Sequence, residues 1–372
     1  MKKIGILTLP LTSKNYGGIL QAYALNKFLL KYTDNVELID RRFPLTLKSR
    51  FILFVYRLCL PNYLNTINSF YRPIENFVEN NFNKSYPLYR FSDSENYIMK
   101  NNFTHLITGS DQVFRMLYSK SLYRDLFLGY NINALKKVSY AASFGKDCWE
   151  DESRFLEVQK LLREFNGISV REDSGVAICA DKFELSATHN IDPTFLLEKK
   201  DYLSLIYAGS EIKTHHNEKL LCTYVLDNNP EKNEIIVEVS RILDLKINRF
   251  GEKPIINRNN FKNFFNKKCD SIEDWLNAIN IAEFVVTDSF HGVAFSIIFN
   301  KQFIAIGNKS RGLSRFLSIL KIFNLEKRLI FIDTDHKNLK DIINDRIDYS
   351  IINSIIENEK HNSDLYLKKN LC

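Results

Sequence analysis

Short apolar, β-branched runs alternate with longer amphipathic stretches along most of this 372-residue chain. Residues 4–9 and 36–39 are apolar runs of strand length, and between them 19–32 places Leu20, Tyr23, Ala24, Phe28 and Leu29 near one helical face. That β-α-β opening predicts a parallel sheet, because parallel neighbours need a crossover and a helix is the usual one. Residues 104–108, 137–142 and 168–170 read as further strands, 47–83 as helical with a break at Pro61, and 152–165 as a charged amphipathic helix. The grammar then repeats. Strands are predicted at 220–226, 246–250, 284–287, 301–306 and 329–332, with helices at 271–281, 293–299, 314–323 and 341–357. Ser271, with Asp274 three residues on, reads as an N-cap with a capping box. The predicted fold class is α/β: two Rossmann-like domains facing each other across a cleft, 1–196 and 197–372. The first carries a helical insertion at about 45–95, and the second ends in the terminal helix. A chain of this length that is 45% hydrophobic exceeds one small core and fits two ordinary domains.

Polar residues collect where the apolar runs end. The run 284–287 stops at Thr287, Asp288, Ser289, His291 and Gly292, just where a helix begins. This is the carboxyl end of a predicted parallel strand, where open α/β sheets bind their ligands. A helix start offers free N–H groups and the positive end of a dipole, which suits an anion. His291 there is a candidate general acid or base. The alternative is that Asp288 or Ser289 caps the helix and His291 only fills the turn. Asp288 is equally a cap and an orienter of the imidazole. In the first half, Asn15, Tyr16, Gly17 and Gly18 precede a helix without forming a GxGxxG or Walker motif. Other strand ends carry Ser110 with Asp111, Ser143, and Arg171 followed by Glu172 and Asp173. Four such ends on one sheet, counting the loop at Gly18, suggest a lined cleft with Arg171 on one wall and His291 on the other. Arg171 offers a planar fork for a carboxylate or phosphate. Its alternative role is a structural ion pair with Glu172, Asp173 or another carboxylate.

Charge and composition narrow the partners. The formal net charge of +7 allows anionic ligands, but Lys and Arg are scattered and no long basic tract points to nucleic acid. The six cysteines form no CxxC or other metal-ligand spacing, so no metal is expected. Lys2 and Lys3 lead directly into a strand and not into a signal core, so a cytoplasmic protein with reduced thiols is the expectation. No apolar run reaches the ~18 residues of a membrane span. The nearest, FILFVYRLCL at 51–60, contains Arg57 and follows Lys48 and Arg50. It reads either as a helix lying on the anionic inner face of the cell membrane or as one buried between the domains.

Several stretches together resemble the polysaccharide pyruvyl transferase family: NYGGILQAYAL (15–25), THLITGSDQVF (104–114), SYAASFG (139–145), ISVREDSG (168–175), IDPTFLL (191–197), VTDSFHGVAFSIIFNKQF (286–303) and SRGLSRFLSIL (310–320). Parts of 45–95 and 200–265 lie outside the likeness. The resemblance implies a glycosyltransferase-B-like fold with the acceptor on the first domain and the donor on the second. It implies transfer of a pyruvyl group from phosphoenolpyruvate to a sugar hydroxyl pair, giving a pyruvate ketal during surface polysaccharide biosynthesis. No cofactor is implied beyond phosphoenolpyruvate as donor substrate, and the sugar acceptor is expected to be free or carried on a lipid. By the same resemblance Arg171 grips the donor and His291 is catalytic. Some members carry Arg-Leu before that histidine, where this chain has Ser289 and Phe290, so a second donor cation must come from elsewhere. Arg311 and Arg315 are the candidates, with Ser289, Gly292 and Ser310 as further donor contacts. Asn15, Tyr16, Gly18, Ser110, Asp111 and Ser143 would line the acceptor side. A nucleotide-sugar glycosyltransferase of the same fold, recruiting Glu283 and Asp288, is the rival reading. A non-catalytic module of a polysaccharide assembly complex is the third.

Overall fold

The structure, a computed structural model, describes residues 2–13, 15–44, 46–59, 61–209, 218–227, 229–250, 269–307, 312–332 and 339–372. Among them are two parallel sheets. The first contains β1 (Ile4–Leu7), β2 (Val36–Leu38), β3 (His105–Asp111), β4 (Lys136–Ala142), β5 (Ser169–Val170) and β6 (Thr188–His189), in the order β2-β1-β3-β4-β5-β6. The second contains β7 (Leu220–Tyr224), β8 (Lys246–Phe250), β9 (Phe284–Thr287), β10 (Gln302–Ile306) and β11 (Leu329–Ile330), in the order β11-β10-β9-β7-β8. Each chain path lays its second strand on one side of the first and the rest on the other. The order therefore reverses between β1 and β3 and again between β7 and β9, and a crevice opens at the carboxyl ends there.

The helices that start at these two switch points are unusually apolar. Tyr16–Leu29 follows β1 and buries nearly its whole circumference, while every residue of Phe290–Ile298 after β9 is buried. A helix apolar all round needs cover on all sides. Here the cover comes from the opposite half: Ile19, Leu20 and Tyr23 share one core with Trp275, Leu276 and Phe295. Tyr16 stacks on Trp275 at 5.7 Å between ring centroids, and its hydroxyl donates to the Asp270 carbonyl at 2.8 Å.

Several expected elements differ in extent. β3 runs to Asp111, beyond the apolar run, because Gly109 and Asp111 still pair with Tyr140 and Ala142. The helix Pro230–Leu243 was not among the expected elements, although Asn229 caps it and Pro230 opens it, a known start signal. The capping box at Ser271 is present in both directions, with Asp274 N–H donating to Ser271 Oγ at 3.0 Å and Ser271 N–H to Asp274 Oδ2 at 3.1 Å. The terminal helix is Tyr349–Leu371, with a separate short helix at Leu339–Asn344 in place of one helix at 341–357. It crosses back to the first sheet, where the Tyr366 hydroxyl donates to the Ser139 carbonyl at 2.9 Å and Leu367 and Leu371 are buried. The helix Leu47–Cys59 is not buried between the halves, since Leu47, Phe51, Phe54 and Leu58 face solvent. No helix among the described residues is long and apolar enough to cross a membrane.

Candidate active site

The first wall is built on Arg171, the residue after β5. Its side chain is 2% exposed and sits among carboxylates: Nη1 donates to Asp192 Oδ2 at 2.9 Å, Nη2 lies 3.5 Å from Asp111 Oδ1, and Nε 3.9 Å from Glu172 Oε2. Burial opposes its charge, but Asp192, Asp111 and Glu172 outweigh burial and raise its pKa. Nε and Nη2 make no hydrogen bond. The expected ion pair is present, with Asp192 as its hydrogen-bonded partner, and it leaves Nε and Nη2 of the guanidinium without hydrogen bonds. Asp111 adopts φ +67°, a left-handed conformation that short polar residues tolerate. Its carbonyl accepts from the Val113 and Ser143 N–H groups.

Asp192 is the hub, and sequence reasoning missed it. It follows β6, whose two residues are too few to display a period, and it is fully buried. Ser110 Oγ donates to it at 2.9 Å, Thr194 N–H at 3.0 Å and Thr194 Oγ1 at 2.8 Å. Burial works against its charge, but the facing His291, then Arg171 and the Thr194 N–H hold the carboxyl below the usual range. Glu172 is equally enclosed. Ser143 Oγ and the Gly145 N–H donate to its Oε1 at 2.7 and 3.0 Å, and Oε2 makes no hydrogen bond. Ser110 and Ser143 thus act as braces for the two carboxylates.

The second wall is the turn after β9. Ser289 caps the helix, its Oγ accepting from the Gly292 N–H at 3.4 Å. A Cβ on Gly292 would stand 2.1 Å from Thr287 Oγ1, so only glycine lets this helix start so close to its strand. His291, in the first helical turn, projects into the first half. Its Nε2 lies 3.8 Å from Asp192 Oδ2, too far for a hydrogen bond, and has no hydrogen-bond partner. Burial lowers its pKa, and the charges of Asp192 and Asp111 only partly offset that. The imidazole is therefore neutral near pH 7. Gly17 makes the approach possible: a Cβ there would stand 2.1 Å from His291 Nδ1. Gly18 plays no part in that approach, since its Cβ would meet only Asn15 at 3.6 Å. Asn15 is the cap of the Tyr16–Leu29 helix, and Tyr16 joins the two halves; its ring and hydroxyl are spent on Trp275 and Asp270.

Asp288 requires a second correction. Its carboxylate accepts from Lys232 Nζ at 2.6 Å and from the Leu226 and Asp227 N–H groups at 2.7 and 3.3 Å. It neither caps the helix nor stands against the imidazole; it fastens the loop after β7. The carboxylate facing His291 is that of Asp192, from the other half. Phe290 explains part of the departure at 289–290, because its ring lies 4.3 Å from the Arg171 guanidinium centre, a cation–π contact. Arg315, in the helix Leu313–Ile322, is buried. Burial first and the like charge of Arg171 second push it down to about 10, while Asp111 and Glu172 act to raise it. Its loop reaches the first wall, where a Cβ on Gly312 would stand 2.1 Å from the Gly145 carbonyl oxygen. Ser310 and Arg311 lie outside the described residues. Among the described residues no group of three or more His, Cys, Asp or Glu is arranged to hold a metal ion.

The fold is shared with solved structures. The Neisseria meningitidis UDP-GlcNAc 2-epimerase bound to UDP-GlcNAc matches with TM-score 0.55 at 9% identity, over 100% of both chains. Arabidopsis thaliana UGT89C1 complexed with UDP-L-rhamnose matches with TM-score 0.54 at 9% identity, over 100% of this chain and 99% of that one. The Methanocaldococcus jannaschii UDP-GlcNAc 2-epimerase in complex with UDP-GlcNAc and UDP gives 0.51 at 12%, over 97% and 100%. At such identities the likeness is one of fold, the glycosyltransferase-B arrangement of two facing Rossmann-like domains. No curated protein matches the chain in sequence. The family model for polysaccharide pyruvyl transferase matches residues 15–310, a stretch that contains Gly17, Arg171, Asp192 and His291 alike. Since that match covers most of the sequence and both walls of the cleft, this chain belongs to the polysaccharide pyruvyl transferase family.

Proposed function

We propose that the cleft takes phosphoenolpyruvate as donor and transfers its pyruvyl group to two hydroxyls of a sugar, releasing phosphate and leaving a pyruvate ketal. The observation that carries this reading is the convergence of Arg171, with two unsatisfied N–H positions, and His291, with an unsatisfied Nε2, on Asp192. An edge of a buried cation that faces carboxylates without hydrogen-bonding to them is costly unless a ligand completes it, and a carboxylate or phosphate fits a guanidinium edge bidentately. Arg315 adds a second buried cation nearby, in the role that the Ser289–Phe290 departure leaves open.

The protons balance without a cofactor. Two hydroxyls lose two protons; one becomes the third hydrogen of the new methyl group and the other leaves with phosphate. His291, neutral in its buried site, accepts the proton of the attacking hydroxyl, and the imidazolium so formed is the acid for the terminal methylene. Asp192 at 3.8 Å stabilises that cation as it forms.

The test is a thermal-shift series with phosphoenolpyruvate, pyruvate, phosphate and nucleotide-sugars, followed by phosphate release with candidate sugar acceptors. Phosphoenolpyruvate at a hundredfold over its Kd should stabilise the protein by about 2.7 kcal/mol. Arg171→Lys, which keeps the charge and loses the fork, should weaken that effect. Stabilisation by a nucleotide-sugar alone would transfer the site to glycosyl transfer.

A further inference from the structure

The helix Leu47–Cys59 turns large apolar side chains to solvent. Leu47 is 84% exposed, Phe51 66%, Phe54 58% and Leu58 66%. Their spacing of four, three and four residues gathers them within about 60° of the helix circumference. Lys48 and Arg57, both exposed, flank that stripe on opposite sides, each about 60° beyond its edge. The segment LKSRFILFVYRLC holds three cations, Lys48, Arg50 and Arg57, and no carboxylate. An apolar stripe bordered by long cationic side chains is the pattern of a helix lying in a membrane interface. Aromatic and aliphatic groups enter the acyl boundary there, and the cations reach up to the headgroups.

We propose that this helix docks the protein onto an anionic phospholipid surface, lying parallel to it. Charge decides among the occupants. A second copy seated symmetrically on this face would set the two helices' cations against each other, and neither helix carries a carboxylate to answer them. A lipid surface carrying negative headgroups answers Lys48 and Arg57 together. The docking is independent of the chemistry in the cleft, none of whose residues belongs to this helix.

Co-sedimentation with vesicles tests it, comparing phosphatidylcholine alone with phosphatidylcholine containing phosphatidylglycerol, at low and at physiological salt. The full-length protein should partition onto the anionic vesicles, less at high salt, and weakly onto the neutral ones. Lys48→Gln with Arg57→Gln should cost about fivefold per cation. Phe51→Ser, Phe54→Ser and Leu58→Ser together should abolish binding. These side chains face solvent, so the melting temperature should stay at the wild-type value. No partitioning of the wild type would overturn the proposal, as would equal partitioning of wild type and stripe variant, or equal binding to neutral and anionic vesicles. A dimer seen by sedimentation velocity, lost in the stripe variant and unaccompanied by vesicle binding, would assign the face to a second copy and overturn it too.

Discussion

Gly17→Ala tests the meeting of the two walls directly. The new Cβ would stand 2.1 Å from His291 Nδ1, 2.2 Å from its Cγ and 2.6 Å from its Cβ. Ordinary Cβ contacts begin at 3.4 Å, so the ring must retreat by about 1.3 Å. Turning the ring about its own axis does not help, because its Cβ and Cγ clash along with Nδ1. The first turn of the buried Phe290–Ile298 helix, or that of Tyr16–Leu29, has to shift. Overpacking of this kind costs roughly 1–3 kcal/mol, and the better helix propensity of alanine returns up to about 1 kcal/mol. The net loss is then roughly 0–2 kcal/mol, which a folded protein survives. A displacement of about 1 Å at a proton-transfer group costs on the order of 10²-fold in rate. Turnover should therefore fall about a hundredfold while the protein still melts cooperatively. Gly18→Ala is the control. Its Cβ finds ordinary contact at 3.6 Å, so turnover should hold within about twofold and stability should rise by up to about 1 kcal/mol. Before an acceptor is identified, NMR of the seven histidine ring signals gives a substrate-free readout. One signal should move strongly in Gly17→Ala and none comparably in Gly18→Ala. Turnover of Gly17→Ala within threefold of wild type, or an unmoved His291 signal, would refute the close approach of the walls.

Other consequences are equally open to measurement. Burial keeps the folded-state pKa of His291 below its unfolded value near 6.5, so the unfolded chain binds that proton first. The stability tied to His291 is fully present above about pH 6.5 and is lost as pH falls through the lowered value. Denaturant titrations of His291→Asn should show a flatter curve as pH falls below about 6.5, and a curve parallel to wild type would remove the assignment. His105, lowered to about 4 by burial and then by Lys136 and Lys2, acts alike in both proteins and cancels from the difference. Asp288→Asn should destabilise by about 3–5 kcal/mol, because it leaves Lys232 buried beside a neutral partner, yet leave the His291 titration unmoved. Asp192→Asn should shift that titration downward, since Asp192 is the main charge favouring the imidazolium. The opposite pair of results would return the orienting role to Asp288.

Local pattern was enough to expose the skeleton of the site. Thr287 closing an apolar strand, with Ser289 and His291 just beyond it, is legible because the strand period and a helix start each span only a few residues. The same holds for Arg171 after β5 and for the capping box at Ser271. What the pattern does not carry is which polar group answers which. Asp288 and Asp192 both follow strands and both precede helical turns, and nothing local separates the carboxylate that faces His291 from the one that fastens a loop.

The chain by itself determined two parallel α/β halves and the strand ends at which chemistry collects, because side-chain period and turn chemistry act over a few neighbouring residues. Only the tertiary structure decided the pairings. Asp288 is claimed by Lys232, 56 residues away, and Arg171 by Asp192, 21 residues on. His291 comes to rest on Gly17 at the far end of the sequence. The terminal helix returns to the first sheet, its Tyr366 reaching Ser139 across 227 residues. Such contacts follow from how two sheets twist and which apolar helices must cover each other, and those are properties of the whole core that no short stretch of sequence encodes.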